Sequence, residues 1–176
     1  MILPAPLRAR TPWFALLLSL MAAGFGEAGD TLYGRVVAVH DGDTLTVLDS
    51  DRRQHRIRLY QIDAPERGQG YGAASKKSLA DLVYRRDVTV ALVATDRYHR
   101  EVGTVLLAGT DINLVQVKRG MAWVYRQYAK DPGYFEAERA ARSARVGLWR
   151  DMKPVPPWEF RREEHEGFDL WRWFRR

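Results

Sequence analysis

The sequence predicts an α+β domain, mainly β, in which a closed five-stranded barrel carries three packed helices. Five segments are rich in β-branched and aromatic residues and are separated by turn signals. Three further segments show the apolar spacing of amphipathic helices. Five short strands in an open sheet would expose unpaired edges, and closure into a barrel removes them.

The predicted strands form two groups. The first group begins with a hairpin, because two β-rich runs flank the turn signal Asp41-Gly42-Asp43. A third strand follows and ends before Ala64-Pro65, since proline moves its preceding residue out of the helical region. The second group has two strands on either side of the charged turn Asp96–Arg100. The five predicted strands are Leu32–His40, Thr44–Leu48, Gln54–Ile62, Asp87–Thr95 and Val102–Leu107.

The helices are predicted from apolar periodicity and from their end signals. Glycine ends the second and third helices, and a proline opens the third. The order is three strands, one helix, two strands and two helices, which favours a barrel of the oligonucleotide-binding (OB) type with helices packed on one side. The three predicted helices are Ala73–Arg86, Asp111–Arg119 and Gly133–Arg145.

Composition limits the chemistry and suggests a partner. The chain has 176 residues, enough for one domain, and a net charge of +6 with a pI near 9.8. A basic surface favours polyanions such as nucleic acid or an anionic membrane. The absence of cysteine excludes thiol catalysis, zinc–thiolate sites and disulfide bonds.

The chain divides into three predicted parts. Residues 1–28 have the layout of a secretory signal peptide: a short positive region, then an apolar run of about eleven residues, then small residues. This predicts a secreted or periplasmic protein, with an uncleaved N-terminal anchor as the alternative. Residues 29–151 are the predicted domain. Residues 152–176 are a C-terminal extension, with an extended proline-rich strip at Lys153–Trp158.

The end of the extension allows two interpretations. Phe168–Arg176 reads FDLWRWFRR, which combines basic and aromatic side chains. It is either a tail partly packed on the barrel or a patch that contacts a membrane surface or single-stranded nucleic acid.

Four polar clusters at loop-like positions carry the functional signal. Together they supply two carboxylates for a hard metal ion, one carboxylate for a water and two arginines for a phosphate. A metal-dependent phosphodiesterase needs this inventory. The clusters are Asp41-Gly42-Asp43-Thr44, the run from Arg58 to Glu66, Asp96-Arg97-Tyr98-His99-Arg100 and Asp111-Ile112-Asn113.

The first two clusters suggest a metal site. Asp43 starts the second predicted strand and Asp63 follows the third, and in a small barrel these ends can lie side by side. Two neighbouring carboxylates repel, and a divalent cation removes that repulsion. Oxygen ligands without histidine or thiolate suit Ca²⁺ or Mg²⁺ rather than zinc. Taken alone, Asp-Gly-Asp is equally a common turn sequence.

The arginines and the remaining carboxylate each have two interpretations as well. The planar fork of Arg58 suits a phosphate, but Arg58 could also be an exposed strand residue beside Arg56. Glu66 could orient or deprotonate a water, or form a surface salt bridge with Arg67 or Arg58. Arg100 lies in a charged turn that could simply be solvated.

In this order the motifs Asp-Gly-Asp-Thr, Arg-Leu-x-x-Ile-Asp-Ala-Pro-Glu and Asp-x-Tyr-x-Arg resemble the staphylococcal nuclease (thermonuclease) family. The resemblance covers about Leu32 to Trp149. The roles that it implies are metal binding by Asp43, Asp63 and the Ala64 carbonyl, an outer-shell acid at Asp41, water positioning by Glu66, phosphate contacts by Arg58 and Arg100, and nucleotide contacts by Tyr98 and Tyr125.

Two positions depart from the family pattern. Ala64 stands where the best-known member has threonine, and a backbone ligand survives that change. His99 stands where the motif usually has glycine; if the turn that aims Arg100 needs a positive φ, histidine adopts it at a modest penalty.

The resemblance implies a secreted, Ca²⁺-dependent nuclease, with Mg²⁺ as the alternative ion. Its substrates would be DNA and RNA, single-stranded or locally opened duplex, cut with little sequence specificity to leave 3′-phosphate ends. We expect a monomer without an obligate protein partner. The alternative is a non-catalytic OB-fold module that binds nucleic acid, which would need basic and aromatic residues but not Asp43, Asp63 and Glu66 at these positions.

Overall fold

The computed structural model describes residues 30–164, and strands and helices account for most of this part of the chain. The strands are β1 Thr31–Val39, β2 Thr44–Leu48, β3 Gln54–Leu59, β4 Ile62–Asp63, β5 Asp87–Thr95, β6 Glu101–Leu107, β7 Thr110–Asp111 and β8 Trp123–Val124. The helices are α1 Gly72–Val83, α2 Ile112–Lys118, α3 Pro132–Ser143, a 3₁₀ turn at Gly147–Arg150, and α4, residues 157–164.

Five strands close into a barrel, which confirms the predicted OB-type architecture. The order is β3-β2-β1-β5-β6, and each neighbouring pair is antiparallel. Closure comes from a parallel pairing of β3 with β6, in which Ile57 lies opposite Glu101 and Leu59 opposite Gly103. The three predicted helices are present, and α4 is an additional one.

The core lies inside the barrel and beneath α1, α2 and α3. Its strand residues are mostly β-branched, because such side chains pack well on a pleated, half-buried surface. Alternate residues point inward on β3 and β5, as a barrel requires. The fully buried strand residues include Val36, Val47, Ile57, Val90 and Val105.

The third strand is shorter than predicted. The sequence favoured one strand over Gln54–Ile62, but β3 ends at Leu59 and the chain turns at Tyr60 and Gln61. Gln61 adopts a positive φ of 67°, and its side-chain oxygen accepts hydrogen bonds from the backbone N–H groups of Lys130 and Asp131. The turn frees β4 to pair with β8, and this pairing fixes the position of Asp63.

The first helix also ends early. Helical spacing predicted Ala73–Arg86, but α1 stops at Val83 and Tyr84 is extended. Arg85 then has a φ of 61° and donates its backbone N–H to Val36, while Val36 donates to the carbonyl of Arg86. These bonds to β1 replace the last helical turn.

The extension differs from the predicted proline-rich strip. Helix α4 begins at Pro157, within the segment that was expected to stay extended, because proline is well tolerated in the first turn of a helix. The predicted signal peptide, residues 1–28, and the FDLWRWFRR segment lie outside the described residues. Within 30–164 none of the helices has the length and apolar character needed to span a membrane.

Candidate active site

One open cleft at the end of the barrel collects every side chain to which a role was assigned from the sequence. The cleft is bordered by the loop before β2, the end of β3, β4 and the loop after it, and the β5–β6 turn. The sequence-predicted residues that line it are Asp41, Asp43, Arg58, Asp63, Ala64, Glu66, Tyr98, Arg100 and Tyr125.

The loop before β2 is packed tightly against the helices. Gln116 of α2 donates a hydrogen bond from Nε2 to the carbonyl oxygen of Gly42 at 2.9 Å. A Cβ atom on Gly42 would collide with Ser75 Oγ of α1, so the turn requires glycine. Asp41 Oδ1 accepts the backbone N–H of Asp43 at 3.1 Å. The Asp-Gly-Asp turn is therefore also the scaffold that fixes Asp43.

Asp43, Arg58 and Asp63 form a buried group that we call the site cluster. Arg58 Nη1 lies 2.6 Å from Asp43 Oδ2, and Nη2 donates to Asp63 Oδ1 at 2.7 Å. The side chains of Arg58, Asp43 and Asp63 are 13%, 7% and 1% exposed. The Ala64 backbone N–H donates to Asp43 Oδ2 at 2.6 Å, which brings the backbone of Ala64 to the same point.

One nitrogen of this cluster remains available to a ligand. Arg58 Nη1 is buried, and its close contact with Asp43 does not have hydrogen-bond geometry. Within residues 30–164 it therefore has an ion-pair partner but no hydrogen-bond acceptor. Buried donors normally find an acceptor, and a phosphate oxygen entering the cleft would supply one.

Burial governs the electrostatics of the site cluster. Burial is the main cause that raises the pKa of Asp43 to about 8; Arg58 opposes this shift, and the carboxylates of Asp41 and Asp63 contribute to it. Burial also disfavours the charge on Arg58, but Asp43 and Asp63 outweigh it and raise the pKa of Arg58. Arg58 thus bridges two desolvated carboxylates at an energetic cost, and a second guanidinium, that of Arg161, also contacts Asp63 at 2.8 Å.

The donor set fits a hard divalent cation. Among residues 30–164 no three His, Cys, Asp or Glu side chains are gathered for one metal ion. Side chains alone would therefore supply two ligands, Asp43 and Asp63, with the carbonyl of Ala64 and water as further oxygen donors. Carboxylate, carbonyl and water oxygens are the ligands of Ca²⁺ and Mg²⁺.

Glu66 lies beside the site cluster in the loop after β4. Its backbone N–H donates to Gln69 Oε1 at 3.1 Å, and its carboxylate is partly exposed. Glu66 Oε1 accepts a charge-assisted bond of 2.6 Å from Nη1 of Arg161, in α4. Arg67 and Arg58, the partners considered from the sequence, are not the ones that bind it.

Arg100 lies across the cleft in a turn organised by one carboxylate. Asp96 Oδ1 accepts the backbone N–H groups of Tyr98 and Arg100 at 2.8 and 3.0 Å, and Oδ2 accepts Arg100 Nε at 2.7 Å. His99 has a φ of 59°, so the turn does adopt the positive φ for which glycine is the usual residue. The guanidinium of Arg100 is thus held by Asp96 rather than by the site cluster.

The two predicted aromatic contacts occupy different walls. Tyr98 is 63% exposed, and the guanidinium carbons of Arg97 and Arg100 lie 4.9 and 5.5 Å from its ring centroid. Tyr125 stacks on Trp158 of α4, with ring centroids 6.1 Å apart and planes inclined by 14°. Both positions offer flat surfaces on which a base can stack.

The fourth polar cluster is structural. Asp111 caps α2 by accepting the backbone N–H of Leu114 at 2.9 Å, and it also accepts the hydroxyl of Tyr134 at 2.8 Å. Asn113 is fully buried and bonds to the backbone of Val105 and Gly103. These contacts tie the helices to the barrel, away from the cleft.

Sequence reasoning missed the cleft residues that α4 contributes, among them Trp158 and Arg161. These two lie three residues apart on α4, a spacing that places both on one helix face. The available signal was the pair Pro156-Pro157 before Trp-x-x-Arg, since proline commonly opens a helix.

A small closed barrel whose cleft gathers buried carboxylates, arginines and aromatic rings has the features of OB-type proteins that bind or cleave nucleic acid. Comparison with known proteins identifies one family within this class of OB-type proteins. Residues 56–151 match the family model described as staphylococcal nuclease homologue. The chain belongs to the staphylococcal nuclease family.

Individual relatives agree with this assignment. A protein of Haemophilus influenzae named "Uncharacterized endonuclease" is 46% identical over 130 residues, which are 74% of this chain and 73% of the relative. An Escherichia coli protein with the same name is 47% identical over 131 residues, 74% of this chain and 85% of the relative. A "Micrococcal nuclease" of Shigella flexneri is 44% identical over 140 residues, 73% of this chain and 80% of the relative. Family membership and these names support nuclease activity.

Proposed function

We propose that the protein is a Ca²⁺-dependent nuclease that hydrolyses phosphodiester bonds of DNA and RNA. The observation that carries the proposal is the site cluster, in which one arginine bridges two buried carboxylates at the floor of an open cleft. Buried ion pairs of this kind contribute little to stability, because the cost of desolvating the charges can exceed their attraction. Their position in a cleft is explained by a ligand that carries charge.

Asp43, Asp63 and the carbonyl of Ala64 would hold the cation, with Asp41 in the outer shell. Ca²⁺ is proposed ahead of Mg²⁺ on family resemblance. The chemistry that such a cation supplies when bound is polarisation of a phosphoryl oxygen.

The side chains of the chain would perform the remaining steps. Glu66 would orient a water for in-line attack on phosphorus and accept its proton. Arg58, with one buried N–H still free for an acceptor, and Arg100 would neutralise the charge that develops on the equatorial oxygens. Cleavage of the 5′ P–O bond would leave 3′-phosphate ends.

Low sequence specificity is proposed because the groups of this cleft address parts that all nucleotides share. Arginine contacts to phosphate carry no base information. Stacking on Tyr98 or Tyr125 would tolerate any base, and it requires single-stranded or locally opened nucleic acid.

The location of the protein remains a proposal from the sequence. Cleavage after residue 28 would release a secreted or periplasmic enzyme, and an uncleaved N-terminal anchor is the alternative. We also propose that it acts as a monomer. Contact of the C-terminal tail with a membrane surface is a separate possibility that rests on FDLWRWFRR alone.

The test is cleavage of supercoiled plasmid by protein purified from cells expressing the full chain. Reactions would contain Ca²⁺, Mg²⁺ or chelator, beside a Glu66→Ser variant prepared in parallel. We expect nicking and fragmentation that need Ca²⁺ and fall by roughly 10²-fold or more in the variant. The absence of cleavage with every ion would reject the proposal.

The second candidate is a binding module without catalysis. The basic charge of the chain and the aromatic walls of the cleft would suffice for such a module. A salt-sensitive gel shift of single-stranded DNA without cleavage would support it, since phosphate contacts weaken as salt rises.

A further inference from the structure

The C-terminal segment, which we define as residues 152–164, forms one wall of the cleft. Trp158, Arg161 and Arg162 from this segment line the cleft together with the predicted site residues. The segment lies beyond residues 56–151, the range matched by the family model. Any role of these residues therefore lies outside the matched domain.

Three contacts anchor the segment. Trp158 packs edge-on against Trp123, with centroids 5.7 Å apart, and stacks on Tyr125. Gln69 Nε2 donates to the carbonyl oxygen of Val155 at 2.5 Å, while its Oε1 accepts the backbone N–H of Glu66. The same amide thus joins the segment to the loop that carries Glu66.

Anchoring places the guanidinium of Arg161 between two acids of the site. Nη1 donates to Glu66 Oε1 at 2.6 Å, and Nη2 donates to Asp63 Oδ2 at 2.8 Å. A third contact, from Nη1 to Asp63 Oδ1, is 3.3 Å. Bonds from a planar guanidinium to carboxylates are strong and directional, so they restrict the orientation of the partner.

The side chain of Glu66 is partly exposed and needs a partner to fix its conformation. Its side chain is 36% exposed, and of its two carboxylate oxygens only Oε1 is engaged by Arg161. An exposed glutamate otherwise samples several rotamers, which would spoil the geometry of a water held for in-line attack. Arg161 holds Oε1 and leaves Oε2 without a bond to the guanidinium.

We propose that Arg161 is a positioning residue of the nuclease site, delivered by the C-terminal segment to hold the carboxylate of Glu66. The inference rests on the proposed function. The opposite role, in which the arginine blocks the acids and must leave before the reaction, predicts a variant that is faster than the wild type. Arg161 also adds positive charge beside Asp63 and Glu66, in the cleft where an anionic substrate must enter.

Steady-state kinetics on single-stranded DNA with Ca²⁺ tests the proposal. Arg161→Gln is expected to lower kcat by roughly 10- to 100-fold with little change in KM, as for other outer partners of site carboxylates. Arg161→Lys, which keeps the charge and can reach one carboxylate, should recover part of the loss. Arg139→Gln, on the exposed face of α3, is the matched control and should behave as the wild type.

A double-mutant cycle shows whether Arg161 acts through Glu66. In a Glu66→Gln background, Arg161→Gln should cost almost nothing further, because the group that it positions is already lost. Independent, multiplicative losses would overturn the proposal, and so would an Arg161→Gln enzyme as fast as or faster than the wild type.

Calorimetric titration of Ca²⁺ separates this role from metal binding. The Arg161→Gln protein should bind Ca²⁺ at least as tightly as the wild type, since a positive charge next to Asp63 has been removed. Weaker binding would assign the loss to the metal site and overturn the proposal. A wild-type protein that binds Ca²⁺ but does not cleave DNA would reject both the proposed function and this inference. An active wild type with an equally active Arg161→Gln variant would reject this inference alone.

Discussion

Strand β3 carries two groups of charges that look alike in composition and differ in consequence. The site cluster places one cation, Arg58, between two carboxylates. Earlier on the same strand, His55 Nε2 lies 3.0 Å from Asp49 and Nδ1 lies 3.0 Å from Glu101. We call this second group the histidine cluster. Each group therefore has one basic side chain between two acidic ones, at distances that allow direct ion pairs.

Burial separates the two groups. The carboxylates of the site cluster are at most 7% exposed, whereas those of Asp49 and Glu101 are 15% and 30% exposed. The bond to His55 lowers the pKa of Asp49, and the bond to Asp49 raises that of His55, as in an ordinary salt bridge. In the site cluster burial instead raises the pKa of Asp43 to about 8. The accessible group thus shows the pKa shifts of an ordinary salt bridge, whereas the buried group carries a desolvation penalty.

The largest expected effect is on catalysis. Arg58→Ala should lower the rate of DNA cleavage by about 10²–10³, because one electrostatic contact to the transition state is lost. His55→Ala, in the histidine cluster of the same strand, should leave the rate unchanged. Single-turnover assays of both variants in Ca²⁺ measure this contrast. Equal losses in the two variants would mean that β3 is merely destabilised and that the clusters do not differ in function.

A smaller effect is expected on stability without metal. Because the pKa of Asp43 is raised in the folded protein, the unfolded chain loses this proton at lower pH than the native one. The native state in chelator should therefore lose stability as pH rises from about 4 to about 8, by at most roughly 1.4 kcal/mol per pH unit. Asp43→Asn carries no such group, so its stability should fall less over this range.

Thermal denaturation at pH 5 and pH 8 in chelator measures the difference between Asp43→Asn and the wild type. Added Ca²⁺ provides the control. At 100 times its Kd it should increase the free energy of unfolding of the wild type by about 2.7 kcal/mol, and so raise its Tm. It should have little effect on the variant. If the Tm of the variant falls with pH as steeply as that of the wild type, Asp43 is not the group whose raised pKa causes the loss of stability.

The sequence was sufficient for the parts of the site that depend on local order. Turn residues and alternating strands placed Asp43 and Asp63 at neighbouring strand ends, and barrel closure then brought them together. A positive φ at His99 was considered because glycine is usual in that turn, and the structure shows that the turn has it. Burial of Arg58 was not predictable, because an arginine in an alternating strand can equally point to solvent. Only the folded barrel shows that the side chain of Arg58 lies in the cleft.

The remaining part of the site depends on distant contacts that no local pattern encodes. Arg161 meets Glu66 across 95 positions of the chain. The segment between the domain and α4 has no apolar periodicity, and its prolines suggested an extended strip. What places α4 is the packing of Trp158 on Trp123 and Tyr125, which is tertiary information. The histidine cluster was missed for the same reason, since Glu101 reaches His55 only when β6 closes on β3.

The smallest expected effect tests the histidine cluster itself. Because the pKa of His55 is raised in the folded state, its contribution is complete below the unfolded value of about 6.5 and is lost as pH rises through the folded pKa. His55→Gln should therefore lower the Tm more at pH 5.5 than at pH 8.5. A partly exposed pair is worth little, so the change in the Tm difference should be roughly 2 °C.

The His55→Gln protein is compared with the wild type at each pH. Both proteins contain Asp43, so the larger pH dependence that Asp43 causes cancels in the difference between their Tm values. Differential scanning calorimetry in chelator gives the two Tm values. A penalty that is larger at pH 8.5 would mean that neutral His55, rather than its charged form, is what Asp49 and Glu101 hold. The two clusters of β3 would then differ in the ionisation of their central residue as well as in burial.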